Sequence, residues 1–155
     1  MTPGADRAVE PASKTRLRLW LKLLKVTSQT EAALRRRLRD DHGTTLPRFD
    51  VMAALARYPK GIKMSELSSY LRVSNGNVTG IVDRLTKEGL ALRVAVEGDR
   101  RSQLARLTPM GAVAFKDLAT RHEAWIDGQL GGLSEEEAET VLAILSRVGD
   151  AGDGQ

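Results

Sequence analysis

Apolar residues recur at helical spacing over most of the chain. From Ser13, the side chains of Leu17, Leu21 and Leu24 hold one face, and Trp20, Leu34 and Leu38 widen it. No Gly or Pro intervenes before Gly43, which predicts a helix of about 29 residues, ~44 Å if straight. A helix that long is hard to bury in one small domain and is expected to reach into a neighbouring subunit. After the polar turn Asp41–Thr45, Leu46–Arg57 reads as a second helix with Phe49, Met52, Ala53 and Leu55 on its apolar side. Tyr58-Pro59-Lys60-Gly61 ends it, because Pro cannot continue the hydrogen-bond ladder. Ile62 and Met64 suit a very short strand, and Ser65 is placed to cap a helix running to Leu71. Ser74 is the expected N-cap of a fourth helix, Asn75 to about Glu88, with Val78, Ile81, Val82 and Leu85 inward and Gly89 at its end.

Beyond Gly89 the period changes. Leu90–Val96 is β-prone, Glu97–Arg101 reads as a charged turn, and Gln103–Leu107 alternates in part, which together predict a β-hairpin. Thr108-Pro109 pairs a capping hydroxyl with Pro at the first helical position, opening a fifth helix to about Leu130. Gly131-Gly132 breaks it, and Ser134 with Glu137 forms a capping box for a sixth helix carrying Val141, Leu142, Ile144, Leu145 and Val148. The expected organisation is a mobile arm over 1–13, a helical region from 14–45 and 109–148, a central region over 46–108, and a frayed tail over 149–155.

Composition narrows the chemistry. The chain of 155 residues has no cysteine, which excludes disulfides, thiolate zinc sites and thiol redox sensing. His42 and His122 lie far apart with no metal-ligand spacing, so no metal is expected. No cysteine nucleophile, G-x-S-x-G elbow, phosphate-cradling glycine loop or carboxylate pair matched to a base is present; neither an enzyme nor a bound cofactor is expected. No apolar run approaches the ~18 residues that span a bilayer, and residues 1–13 lack a signal peptide's apolar stretch, so the expectation is a soluble cytoplasmic protein without a membrane partner. The formal charge of +4 hides an asymmetry: residues 1–60 carry 13 basic and 6 acidic side chains, whereas 112–155 carry 3 and 9. A basic front points to a polyanionic partner.

The order over residues 62–107, a short helix, a tight turn, a second helix and a hairpin, is that of a winged helix-turn-helix, whose second helix enters the DNA major groove. The fold class is therefore mainly α, a winged helix-turn-helix with a helical dimerisation domain. Ser74, Asn75, Asn77 and Thr79 put short hydrogen-bonding groups at the start of that helix, where they suit bases and phosphates but equally make a turn and cap. Gly76 and Gly80 each cost about 1 kcal/mol of helix stability relative to Ala, a sacrifice that close approach of DNA would explain. At the hairpin tip, Arg100 and Arg101 suit a narrow minor groove, with Asp99 orienting a guanidinium; an ordinary solvated turn is the other reading.

Ser65-Glu-Leu, Val73-Ser74, Val78-Thr79, Val82-Asp83-Arg84-Leu85, Gly89-Leu90 and Asp99-Arg100-Arg101 through Leu107-Thr108-Pro109-x-Gly111 resemble the MarR family of bacterial transcriptional regulators, over residues 14–148. The resemblance implies a homodimer joined through the first, fifth and sixth helices, each subunit offering a winged helix to half of a palindromic double-stranded operator. It implies Arg101 as the minor-groove reader and Ser74, Asn75, Asn77, Thr79 and Arg84 as the recognition set. Gly80 departs from the pattern, since many relatives carry a basic residue there. The block Arg18-Leu-Trp-Leu-Lys-Leu-Leu, with Thr45-Leu-Pro-Arg-Phe-Asp and Ser-Asn-Gly-Asn-Val-Thr-Gly, is similar to the branch controlling hydroxycinnamate and related aromatic-acid catabolism. That implies a repressor of a catabolic operon, released by an aromatic acyl-CoA thioester or a free phenolic acid.

Candidate effector-binding residues are Trp20, Leu24, His42, Phe49 and Met52, although an aromatic on an apolar helix face is more often core. Arg35, Arg36, Arg37 and Arg39 place four guanidiniums within five positions, where they repel one another. Three readings stand for them: a solvated basic face, contacts to DNA phosphates, or a grip on the phosphates of a CoA ester. Outside the DNA-binding class, a helical protein–protein adaptor that keeps the winged fold is the alternative.

Overall fold

The amphipathic opening stretch folds as α1 (Ala12–His42), one uninterrupted helix of 31 residues in the computed structural model, which describes residues 11–71 and 75–152. Ala12 and Ser13, expected in the arm, already belong to its first turn; the rest of the arm, residues 1–10, lies outside the described residues. Gly43 ends the helix at φ 60°, a left-handed conformation that Gly adopts without a Cβ clash, and its N–H returns to the Arg39 and Leu38 carbonyls. Leu34 and Leu38 are the buried residues of α1, while Leu17, Leu19, Trp20, Leu21, Leu24 and Val26 are exposed.

Contacts divide the chain into one unit up to Gly43 and another from Thr44. The second opens with α2 (Leu46–Arg57), capped by the Thr45 hydroxyl, which accepts from the Arg48 N–H at 3.3 Å. Pro59 follows its end, and Gly61 (φ 112°) turns the chain into β1 (Ile62–Lys63). A Cβ on Gly61 would meet Leu104 Cβ at 3.1 Å. Then come α3 (Met64–Leu71), α4 (Asn75–Lys87), β2 (Ala91–Val96), β3 (Asp99–Leu107), α5 (Pro109–Gln129) and α6 (Glu135–Gly152). The sheet is antiparallel in the order β1-β3-β2, with Ile62 opposite Ala105 and Ala91 opposite Leu107. The core joins Val51, Met52, Ala54 and Leu55 of α2 to Ile62, Leu67, Val78, Ile81, Val82, Leu85, Ala91 and Ala105. Phe115 packs against this core, so α5, expected with residues 14–45 in one helical region, counts with the second unit.

The wing is joined to α5 by a tight junction that accounts for the Leu-Thr-x-x-Gly pattern. The Thr108 hydroxyl donates to the Gly89 carbonyl at 2.7 Å and accepts from the Gly111 N–H at 3.0 Å. A Cβ on Gly111 would lie 1.9 Å from the Leu90 carbonyl oxygen, so only glycine lets α5 leave the sheet at this angle. Before α6 the expected capping box forms in both directions: Ser134 N–H to Glu137 Oε1 at 3.0 Å, and Glu137 N–H to Ser134 Oγ at 3.2 Å. These bonds favour the ionised Glu137 and lower its pKa.

Three boundaries differ from expectation. Ser65 is not a cap: α3 begins at Met64, directly after the strand, and the Ser65 carbonyl accepts from Ser69 Oγ inside the helix. The hairpin turn is shorter than Glu97–Arg101, because Gly98 (φ 81°) reverses the chain and Asp99, Arg100 and Arg101 already belong to β3. Residues 149–152 are the last turn of α6 rather than part of a frayed tail, a helix in which exposed Gly149 is tolerated; residues 153–155 lie outside the described residues.

Candidate nucleic-acid interface

The two ends of the winged unit that sequence singled out are α4 and the hairpin tip. Burial of Val78, Ile81, Val82 and Leu85 fixes how α4 rolls. The same roll turns Gly76, Asn77, Asp83, Arg84 and Lys87 to solvent and leaves Thr79 and Gly80 half-buried. Ser74 lies outside the described residues; Asn75 is the first residue of α4. Arg84 lies back along the helix, its Nε 3.4 Å from the Gly80 carbonyl oxygen, and a Cβ on Gly80 would sit 3.9 Å from its Nη2. A guanidinium from one turn on thus covers the surface beside Gly80. Around Gly76 there is open space. Among the described residues, no packing contact demands either glycine of α4.

At the tip, the register between β2 and β3 jumps. Ala95 faces Gln103, but Val96 faces Asp99, so the ladder is irregular where β3 runs from Asp99 to Gln103. Asp99 holds this irregular segment: its carboxylate accepts from the Arg101 N–H at 3.0 Å and from Ser102 Oγ at 2.7 Å. The Ser102 bond is the main reason its pKa is lowered, followed by the Arg101 amide; Lys63 on β1 adds a weaker electrostatic pull. Asp99 thus organises the backbone and hydroxyl donors that follow it; the side chain of Arg100 beside it lies outside the described residues. Arg101 is exposed.

Three residues that sequence reasoning missed tie the two ends together. Arg93 of β2 pairs with Asp83 of α4 (Nη2 to Oδ1, 2.7 Å) and donates through Nη1 to Gln103 Oε1 at 3.2 Å. The helix and the wing are thus linked by one half-buried guanidinium. Arg48 of α2 pairs with Glu88 just beyond the other end of α4. Asp83 and Arg93 are ten positions apart, with no local spacing rule to flag them; only the fold of β2 onto α4 reveals the pair.

The candidate effector residues divide between the two units. Trp20, Leu24, Arg35, Arg36, Arg37, Arg39 and His42 all belong to α1, with Trp20 54% exposed and the four arginines exposed. Arg39 Nε meets Asp40 Oδ1 at 3.0 Å. Trp20 and Arg39 stand about 28 Å apart along this helix at ~1.5 Å per residue, so one small acid cannot touch both on the same protomer. Phe49 and Met52 are core side chains of the second unit. The Phe49 ring stacks on His122 (centroids 4.5 Å apart) and lies 5.6 Å from Phe115. Among the described residues no group of three or more His, Cys, Asp or Glu side chains is placed to hold a metal ion, and no helix is long and apolar enough to cross a membrane.

A family model described as the MarR family matches residues 42–102. The HTH-type transcriptional regulator MhqR of Bacillus subtilis (strain 168) is 34% identical over 109 residues, 70% of this chain and 74% of that one. The crystal structure of a MarR family transcriptional regulator from Silicibacter pomeroyi is 32% identical and superposes with a TM-score of 0.73, covering 92% of this chain and 98% of the other. The fold is also that of Sco3205, a MarR family transcriptional regulator from Streptomyces coelicolor solved in complex with DNA, at TM-score 0.76 and 23% identity over 94% and 92% of the two chains.

Proposed function

The chain belongs to the MarR family of transcriptional regulators, and from that premise we propose that it is a homodimeric, sequence-specific DNA-binding repressor of a catabolic operon, released by a small-molecule effector. The observation that carries the DNA reading is the contact of α4 with the wing through the Asp83–Arg93 ion pair and the Arg93–Gln103 hydrogen bond. Two groove-reading elements joined side by side suit a duplex, in which Asn77, Thr79 and Arg84 lie against the major groove and Arg101 enters the adjacent minor groove. The partner duplex is palindromic because two copies present two such pairs.

Exposed apolar residues support the dimer. α6 has no buried residue, and Leu142 and Val148 are 65% and 63% exposed. The apolar N-terminal half of α1 is exposed as well. Apolar surface on this scale marks an interaction surface, and a second copy of the same helices buries it.

For the effector, the reading is an aromatic acyl-CoA thioester such as a hydroxycinnamoyl-CoA, with a free phenolic acid as the second. The four exposed arginines of α1 favour the thioester, whose phosphates they suit and which a free acid lacks. Two experiments test these readings. Arg101→Ala is expected to weaken operator binding by about 1–3 kcal/mol with the dimer intact, the scale of a lost groove contact; unchanged affinity rejects its role. Replacing Arg36 and Arg39 with Ala is expected to cut thioester binding in calorimetry far more than free-acid binding. Equal losses, or none, reject the thioester grip.

A further inference from the structure

The outer side of α3 borders a cavity that the proposed function leaves unused. Ser65, Glu66, Ser69 and Tyr70 stand at i, i+1, i+4 and i+5, which sets them along one side of the helix. With Tyr58, just beyond α2, and Ile62 of β1 they line a cavity of about 460 Å³. That volume is in the range of organic-ligand sites, ~300–1,000 Å³. The turn after α2 fixes the Tyr58 wall: the Tyr58 N–H donates to the Leu55 carbonyl at 3.2 Å, and the Tyr58 carbonyl accepts from the Gly61 N–H at 2.8 Å. Ile62 is buried and gives the cavity an apolar base.

Two rings and one carboxylate give this cavity its chemistry. The rings of Tyr58 and Tyr70 lie 6.1 Å apart, centroid to centroid, with their planes at 89°, so they make two walls at right angles. Both side chains are exposed, which leaves ring surface for a ligand. Arg57 Nη1 donates to the Tyr70 hydroxyl at 3.1 Å and holds that ring by its polar end; Arg57 lines no part of the cavity. Glu66 lies one turn before Tyr70, and among the described residues it has no ion pair. A carboxylate in the first turn of a helix is favourable by itself, so Glu66 alone implies no ligand. Beside two aromatic walls it does, because ring faces carry the negative end of a quadrupole and attract cations. Ser69 Oγ donates to the Ser65 carbonyl at 3.3 Å and keeps its oxygen free to accept. No basic side chain lines the cavity, so an organic anion finds no counter-charge in it.

We infer that this cavity binds an organic quaternary ammonium ion, its methylated head in the corner between Tyr58 and Tyr70 with Glu66 as counter-charge, and a short hydroxyl arm on Ser69. A quaternary head suits these walls better than a primary ammonium, because it asks for ring surface and a single negative charge rather than for a set of hydrogen-bond acceptors. The inference goes beyond the function proposed above and does not rest on it: none of the residues assigned to DNA lines this cavity.

Calorimetry on the full chain without DNA tests the site, with choline, its uncharged isostere 3,3-dimethylbutan-1-ol and betaine as probes. Choline is expected to bind saturably, the isostere at least tenfold more weakly because it has the shape without the charge, and betaine more weakly than choline because its carboxylate meets Glu66. Glu66→Gln is expected to lower choline affinity at least fivefold. Tyr58→Leu is expected to do the same, whereas Tyr58→Phe keeps the affinity, since the ring and not the hydroxyl is what the cation needs. Equal binding of choline and the isostere, binding indifferent to both Glu66→Gln and Tyr58→Leu, equal losses in Tyr58→Phe and Tyr58→Leu, or no saturable binding of choline overturns the assignment. Operator affinity of the same samples separates the two claims: its absence contradicts the DNA reading and leaves the cavity result standing.

Discussion

His122 shows how one side chain couples to the fold. It stacks on Phe49 and is half-buried, and burial lowers its pKa below the ordinary 6.5, with Asp50 opposing in part. A base whose pKa is lower folded than unfolded binds fewer protons when folded, so stability rises with pH through the window between the two values. The contribution is full above about 6.5 and is lost as pH falls through the folded value. Urea midpoints are therefore expected to drop between pH 7.5 and pH 5 in the wild type and to drop less in His122→Gln. Equal drops would remove His122 from the account. Phe49 is the counterpart lesson: its place on an apolar helix face was legible, but whether it lined a pocket or the core depended on the ring and imidazole that α5 brings to it.

For α4, intrinsic propensity and function oppose each other. Among the described residues, a Cβ on Gly76 would meet nothing within 4 Å, and one on Gly80 only an ordinary contact with Arg84. Gly→Ala at either position is expected to raise stability by about 0.5–1 kcal/mol while weakening operator binding, since the cost of glycine in a helix is otherwise unexplained. Thermal melts and binding isotherms on the same samples decide it; a variant that is both more stable and equally tight on DNA would show that close approach plays no part. Most elements were legible because their signals are local: the apolar spacing of α1, Thr108-Pro109 before α5, the Ser134 and Glu137 box before α6. Where boundaries moved, a local signal misled. Charged Asp99-Arg100-Arg101 resembles a turn in composition, yet its backbone continues β3, and its irregularity becomes visible only against the register of β2. Ser65 resembles a cap, yet the helix begins one residue earlier. The Arg93 bridge belongs to tertiary structure and leaves no mark at any fixed spacing.

At the scale of the whole molecule, the charge asymmetry and the exposed apolar helices have one explanation. The first 60 residues carry 13 basic against 6 acidic side chains and the last 44 carry 3 against 9, so attraction to a polyanion is concentrated in the first part of the sequence. The apolar residues of α6 and of the N-terminal half of α1 are exposed, and in the proposed dimer a second copy covers them. Neither feature needs a bound metal or a catalytic group. Both make sense for two winged units presented together to a duplex.

The decisive experiment is sedimentation of the full chain with a duplex that it has itself enriched from a random pool, across a series of salt concentrations. Two chains per duplex are expected, on a palindromic sequence, with affinity at least ~10³-fold above a scrambled duplex and falling steeply as salt rises. One chain per duplex, or equal affinity for enriched and scrambled sequences, would contradict the account.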